Sequence, residues 1–146
     1  MTTVEFRGWL LEADDVATRA AYTASAASAG ERCGCLHCKN FEAARELVYP
    51  RETLDLFHRL GIDVRQEAEV YHNARLGSGL HSYGGWLHFV GRIIGDAGAW
   101  SRITPTFQLW FRPGRDLALE AFKGLSLVQC ELDAEVPWVL EEPYAE

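Results

Sequence analysis

The chain has 146 residues, of which 48% are hydrophobic and 24% are charged, an ordinary composition for a globular protein that argues against low-complexity disorder. Its formal net charge of −7 argues against non-specific binding to nucleic acid or anionic membranes, because both depend on Lys and Arg. No apolar run reaches the roughly 18 residues that a transmembrane helix needs, and residues 1–6 lack the basic and apolar regions of a signal peptide. We therefore expect a cytoplasmic protein without a membrane segment, in a compartment where thiols stay reduced.

A chain of this length is expected to form one domain, residues 1–146. A domain of this size buries about 68–70% of the surface that its unfolded chain exposes, so it folds without a metal or disulfides. A metal ion would therefore reinforce the protein locally or serve its function.

The first 30 residues predict a strand followed by a helix. Loose alternation over residues 3–11 favours the strand. Asp14 or Asp15 is expected to cap a helix of small side chains, and Gly30 is expected to end it.

Three of the four cysteines lie close together, at Cys33, Cys35 and Cys38. Zinc binds thiolate and imidazole ligands in a tetrahedral arrangement, and a Cys-x-x-Cys turn can place two sulfurs on one ion. Gly34 allows a sharp turn between the first two cysteines, and Asn40 is expected to cap the helix that follows. Because the positive end of that helix favours thiolates, we predict that the three cysteines bind one zinc ion.

The predicted zinc site needs a fourth ligand, which no second Cys-x-x-Cys pair supplies. The alternatives are His37, His72, His81, His88 and Cys130. A water molecule in the fourth position would instead give a site of the open, catalytic type.

The cysteine cluster also fits a redox pair or simple burial of the thiols. Cys35 and Cys38 could form a redox pair, since a thiol of low pKa at a helix start exchanges disulfides. A thioredoxin-like motif follows a hydrophobic strand, however, and residues 26–32 lack a strand pattern. The thiols could also be buried, as free cysteines often are, although the polar character of the loop argues against this.

Residues 41–60 predict two short amphipathic helices. Pro50 separates them, because the residue before a proline avoids the α region. Gly61 is expected to end the second helix. Its apolar face would carry Leu54, Phe57 and Leu60.

The second half of the chain predicts mainly antiparallel strands. Over residues 83–93, alternation places Trp86 and His88 on one side and Leu87 and Phe89 on the other. Since both sides are apolar, this segment is expected to be the central strand of a sheet.

Further strands are expected at residues 64–72 and 104–112 and within residues 117–132, where Cys130 is most simply a core residue. Residues 73–82 predict a loop. A strand and helices followed by a mainly antiparallel sheet define an α+β fold.

A second candidate site is a pocket formed by Tyr83, Trp86 and His88 beside Gly84-Gly85 and the cysteine loop. His88 could act there as a general base or a ligand, although a hydrogen-bonded core histidine is the commoner explanation for such a residue. Aromatic rings with polar tips line pockets and also pack cores.

Three stretches of the sequence are distinctive. They are CxCxxCxNF at residues 33–41, YGGWxHFVG at residues 83–91 and VPWVL at residues 136–140. Together they resemble a family of small bacterial proteins of uncharacterised function. The resemblance covers most of the chain from Cys33 onward and implies a bacterial cytosolic single domain, and it assigns no catalytic residue.

The sequence therefore predicts a binding or interaction domain with a cysteine-rich zinc site, whose ligand is a small molecule or a protein. The alternative is a thiol-redox or metal-assisted enzyme that uses Cys33, Cys35 and Cys38 with His81 or His88. Binding is favoured because the sequence has no P-loop, His-Glu-x-x-His or Gly-x-Ser-x-Gly motif.

Overall fold

The computed structural model describes residues 1–25 and 34–145. Within them the chain forms an α+β fold, as predicted. The strands are β1 (Thr2–Phe6), β2 (Trp9–Ala13), β3 (Glu69–Arg75), β4 (His81–Gly95), β5 (Ser101–Thr104), β6 (Phe107–Pro113) and β7 (Leu127–Val136). The helices are α1 (Asp15–Ser25), α2 (Leu36–Val48) and α3 (Arg51–Leu60), and a 3-10 turn covers Glu120–Phe122.

The strands form one antiparallel sheet in the order β1-β2-β4-β7-β6-β5, and β3 pairs with β4. The long strand β4 is central, which confirms the prediction for residues 83–93. Tyr83, Leu87 and Phe89 on one side of it are fully buried, and His88 on the other is only 1% exposed. A strand that buries both of its sides needs neighbours on both edges, and β4 has them.

Helix α2 covers one face of the sheet. Phe41 in α2 packs on Tyr83 of β4, with ring centroids 5.4 Å apart, and Tyr49 at the end of α2 packs on Phe107 of β6 at 5.7 Å. Because side chains alternate along a strand, this arrangement directs Tyr83 and Phe107 into the core and their sequence neighbours to the opposite face.

The chain begins with a hairpin, and the prediction of a single strand over residues 3–11 was wrong. Arg7 and Gly8 have φ values of 46° and 88°, which turn the chain back between β1 and β2. The buried side changes from Phe6 before the turn to Trp9 and Leu11 after it. The buried positions are therefore even-numbered before the turn and odd-numbered after it. The sequence did not reveal this change, because apolar residues lie on both sides of the turn.

Helix α1 begins as predicted, because the Asp14 side chain accepts a hydrogen bond from the backbone N–H of Ala17 at 3.0 Å. The predicted end at Gly30 lies outside the described residues. Helix α2 begins at Leu36, with Cys35 as its N-cap. The prediction that Asn40 caps this helix was therefore wrong.

The break between α2 and α3 lies at Tyr49 and Pro50, as predicted. Gly61 ends α3 in the left-handed conformation, with φ of 84°, which is also as predicted. The predicted apolar face was partly wrong, because Leu54 is 37% exposed while Leu56 is buried.

The predicted loop over residues 73–82 is largely a hairpin, because β3 extends to Arg75 and β4 begins at His81. Cys130 is fully buried in the core, as predicted. None of the helices in the described part of the chain is long and apolar enough to cross a bilayer.

A buried ion pair holds α2 to the segment before β3. The Arg45 guanidinium donates twice to the Glu67 carboxylate, at 2.8 and 3.1 Å, and the Tyr49 hydroxyl donates to the same carboxylate at 2.8 Å. The Glu67 side chain is 0% exposed. Burial, followed by the neighbouring Glu67 carboxylate, raises the pKa of Tyr49 well above its usual range.

Candidate functional site

The cysteine turn lies at the N-terminus of α2. The Cys35 sulfur accepts a hydrogen bond from the backbone N–H of Cys38 at 3.4 Å, which is the N-cap arrangement that favours a negative charge on the accepting atom. Cys35 is exposed and Cys38 is half-buried. Cys33, the third predicted ligand, lies outside the described residues.

Asn40 anchors this end of α2 to the C-terminal segment, residues 137–145. Its side-chain amide is fully buried. The amide nitrogen donates to the carbonyl of Pro137 at 3.1 Å, and the amide oxygen accepts from the N–H of Val139 at 2.7 Å. A buried amide that bonds two backbone groups of another segment fixes the position of that segment.

Tyr83 anchors the same turn to the sheet. Its hydroxyl donates to the backbone carbonyl of His37 at 2.8 Å and accepts from Asn40 at 3.4 Å. Burial raises the pKa of Tyr83, and the nearby Cys38 and Cys35 sulfurs act in the same direction. The hydroxyl therefore stays protonated and keeps its role as a donor.

Three histidines meet beside the cysteine turn. The rings of His37 on α2 and His72 on β3 are stacked, with centroids 4.2 Å apart. The His72 Nε2 and His81 Nδ1 atoms are 2.9 Å apart, a hydrogen bond that requires a proton on one of the two nitrogens. The pairing of β3 with β4 brings these residues together, since His72 lies opposite Tyr83.

Two aromatic rings of the C-terminal segment cover the histidines. The Tyr144 ring lies 4.7 Å from the His81 ring and 5.2 Å from the His72 ring. The Trp138 ring lies 5.0 Å from His81, and its indole N–H donates to the carbonyl of Glu142 at 2.7 Å. The C-terminal segment thus forms one wall of the site.

The pKa values of two of these histidines, His72 and His81, are lowered. Burial lowers the pKa of His72, and the neighbouring His37 and His81 add to this effect. Burial likewise lowers the pKa of His81, with further contributions from Arg75 and His37. Neutral imidazoles, which are the form that ligates metals, are therefore favoured.

The donor types at this end of the molecule fit zinc, since thiolates and neutral imidazoles are its usual ligands. Among residues 1–25 and 34–145, however, no three Cys, His, Asp or Glu side chains are arranged to hold an ion. A shared ion would therefore require Cys33 from outside this part of the chain. Zinc bound there would link the cysteine turn to whichever imidazole completed the set.

Of the alternatives for a fourth ligand, His37, His72 and His81 lie at the cysteine end of the molecule. His88 follows His81 by seven residues along β4, which is about 23 Å at the usual strand rise. Cys130 lies opposite Leu87 in the same region. The structure therefore separates His88 and Cys130 from the cysteine turn.

Tyr83, Trp86 and His88 do not share one surface. Tyr83 points into the core face, whereas Trp86 and His88 lie on the opposite side of β4. The His88 Nε2 atom is 3.0 Å from the Gln129 side-chain oxygen, and burial lowers the pKa of His88. The Trp86 indole donates to the carbonyl of Asp116 at 2.8 Å.

Sequence reasoning missed two features of the site. One is Asn40, which anchors the C-terminal segment. The other is the set of rings around the histidines, formed with Trp138 and Tyr144. The tryptophan of the distinctive VPWVL stretch was a signal for the second, because tryptophan side chains are on average highly buried.

A separate cavity of about 310 Å³ lies between the C-terminal ends of α1 and α3. Arg19, Tyr22, His58 and Asp63 are among the residues that line it. The Arg19 guanidinium already bonds the carbonyl of His58 and the Asp15 carboxylate. None of the predicted site residues in the described part of the chain lines this cavity.

Comparisons of the chain with family models, with curated proteins and with solved structures gave no match.

Proposed function

We propose that the protein is a small cytoplasmic binding domain in which Cys33, Cys35 and Cys38 hold one zinc ion. The observation that carries this proposal is the N-cap geometry of Cys35, whose sulfur accepts the Cys38 N–H at 3.4 Å. Two thiols on the first turn of a 13-residue helix experience its positive end, which favours thiolates. Cys33 is two residues away and supplies the third sulfur.

The neighbouring histidines supply the fourth ligand. His37 lies within the Cys-x-x-Cys turn itself, and His72 stacks on it at 4.2 Å. One of these imidazoles would give up its contact with its histidine neighbour and bond the ion instead. The lowered pKa of His72 supports this role, because a ligand must be unprotonated.

The ion would act locally. The core is formed by the sheet and the three helices, and Cys35 lies exposed outside it. Removing the zinc is therefore expected to loosen residues 33–40 and leave the sheet folded.

Zinc content of the reduced, untagged protein tests the proposal. We expect one zinc per chain, a loss of metal in Cys35→Ser and Cys38→Ser, and full retention in the control Cys130→Ser, whose sulfur is buried in the core. Metal should also be lost on acidification, because protons compete for the thiolates. Protein purified without stoichiometric metal, and unable to take up added zinc, would overturn the proposal.

A second candidate function is thiol–disulfide exchange, which the exposure of Cys35 and its N-cap position favour. The Cys35 thiolate would attack a substrate disulfide and release one thiolate. The Cys38 thiolate would then displace the second one, leaving a Cys35–Cys38 disulfide and a reduced substrate.

Redox titration of the metal-free protein in glutathione buffers separates the two functions. An exchange enzyme forms a reversible Cys35–Cys38 disulfide and reduces insulin in the presence of dithiothreitol, and Cys35→Ser abolishes both. A zinc site instead shows protection of the same thiols from alkylation when metal is bound.

A further inference from the structure

The face of the sheet opposite α2 carries a row of alternating acidic and aromatic residues. Glu69, Trp86, Glu131 and Trp110 lie directly opposite one another on β3, β4, β7 and β6. Trp110 is 39% exposed, and Trp86 is half-buried. Strands two apart in a sheet are separated by about 10 Å, so the two indoles flank the Glu131 carboxylate.

The next row adds a third ring and a third carboxylate. Tyr71, Gly84, Asp133 and Gln108 lie opposite one another on the same four strands. The Tyr71 ring lies across Gly84, since a Cβ atom at Gly84 would be 2.4 Å from its Cζ and Oη atoms. Glycine at this position therefore lets the ring lie flat on the sheet, 6.3 Å from the Trp86 ring.

Among the residues that the structure describes, the carboxylates on this face outnumber the cations. Asp133 accepts one hydrogen bond from the Gln108 amide at 2.9 Å, and Glu131 accepts from Arg112 and from Gln129. Arg112 is occupied by Glu131 and by Asp116. Burial raises the pKa of Tyr71, and the Glu131 and Asp133 carboxylates add to this effect, which places the phenol beside them.

A groove of about 160 Å³ continues the face toward β5. Asp133 and Glu135 from β7 line it, together with Ser82, Gln108 and Arg102. The Arg102 guanidinium donates to the carbonyl of Pro105 at 3.1 Å, so its charge is directed toward the β5–β6 turn. The groove thus presents two carboxylates beside the three rings.

We propose that this open face binds lysine or arginine side chains of a basic segment of a partner protein. Aromatic rings attract cations within about 6 Å of their centroids. The Asp133 carboxylate in the neighbouring row, whose hydrogen-bond donor is the neutral Gln108 amide, supplies the counter-charge. The rings also pack against the aliphatic stems of lysine and arginine, which a simple metal cation does not offer.

The proposal of a basic partner rests on the proposed function only in assuming that the protein acts by binding. It does not depend on zinc, because Tyr71 and Trp110 lie on the opposite face of the sheet from the cysteine turn. Zinc content measured on the same samples therefore distinguishes failure of one idea from failure of the other.

The probe is an octalysine peptide. Its binding is observed through the indole N–H signals of Trp86 and Trp110 in NMR spectra of the 146-residue protein. We expect these two signals to shift with saturation, while the signal of Trp9, which is fully buried, stays in place. Trp110→Ala and Asp133→Asn should each weaken binding by about two- to fivefold. Glu46→Gln removes one carboxylate from an exposed position of α2 and should leave the affinity unchanged.

Gly84→Ala provides a second variant that keeps every charge. The added methyl group displaces the Tyr71 ring, so binding should weaken although no carboxylate is lost. Equal weakening by Glu46→Gln and Asp133→Asn would reveal diffuse attraction to a charged surface and would overturn the proposal. Indole shifts that follow protein concentration without peptide would also overturn it, since the face would then be covered by a second copy of the chain.

Discussion

Replacing Asn40 with alanine is expected to release the C-terminal segment from the cysteine end of the domain. The Asn40 side chain bonds the carbonyl of Pro137 at 3.1 Å, the N–H of Val139 at 2.7 Å and the hydroxyl of Tyr83 at 3.4 Å. A net contribution of about 1 kcal/mol for each of the two short bonds gives about 2 kcal/mol. The long bond to Tyr83 adds little, because that hydroxyl keeps its partner at His37.

Urea unfolding followed by circular dichroism measures this loss. For a chain of this size, about 2 kcal/mol corresponds to a decrease in Tm of roughly 4–8 °C. Asn73→Ala is the matched control, since Asn73 is exposed and makes one side-chain bond, to Ser82 at 3.3 Å. It should change the free energy of unfolding by less than about 0.5 kcal/mol.

Hydrogen exchange then locates the effect. In Asn40→Ala, the amide of Val139 should lose its protection while amides of β4 and β7 keep theirs. A free energy of unfolding within about 0.5 kcal/mol of the wild type, with the Val139 amide still protected, would refute the assignment of Asn40 as the anchor.

Three further predictions follow from buried groups. Glu67→Gln should cost about 2–4 kcal/mol of unfolding free energy in urea titrations, because it leaves the Arg45 cation, 19% exposed, without this counter-charge; a loss below about 1 kcal/mol would contradict this. Because burial lowers the pKa of His88 in the folded state, its stabilising contribution is complete above pH about 6.5 and is lost as the pH falls toward the lowered value. His88→Gln should therefore flatten the decrease in unfolding free energy as the pH falls below about 6.5, and an unchanged slope would count against it. Burial raises the pKa of Cys130 well above its usual range. Iodoacetamide should therefore label Cys35 in the native, reduced and metal-free protein but label Cys130 only after unfolding. Mass spectrometry of tryptic peptides measures both reactions.

The elements that the sequence predicted correctly are those whose signals are local. The two apolar sides of residues 83–93 required neighbours on both edges, and Gly61 supplied the left-handed residue that ends α3. The first hairpin was not predicted, because Trp9, Leu10 and Leu11 are all apolar. No alternation of apolar and polar residues therefore marked the buried side of this segment. The predicted start of α2 was wrong because Cys35 caps this helix. Asn40 was expected to be the cap, since asparagine is a preferred residue type at that position.

The candidate site depended on long-range pairing and was only half predictable. Cys35 and Cys38 are close in sequence, and their shared position on one helical turn follows from spacing alone. His37, His72 and His81 meet only because β3 and β4 pair in one particular register. A shift of that register by one residue would turn His72 to the other face of the sheet.

The cysteine end and the acidic, aromatic face are connected through β7. Glu131 and Asp133 lie in the middle of this strand, and Val136 at its end leads directly into Pro137, whose carbonyl Asn40 holds. Yet a strand in the middle of a sheet is fixed by its ladder on both sides, and β7 pairs with β4 and β6 along most of its length. Loosening the cysteine turn is therefore expected to free the C-terminal segment up to Val136 and no further. Binding of a basic segment on the open face should consequently be insensitive to a zinc chelator, and chelation that abolished it would mean that the sheet itself responds to the state of the cysteine turn.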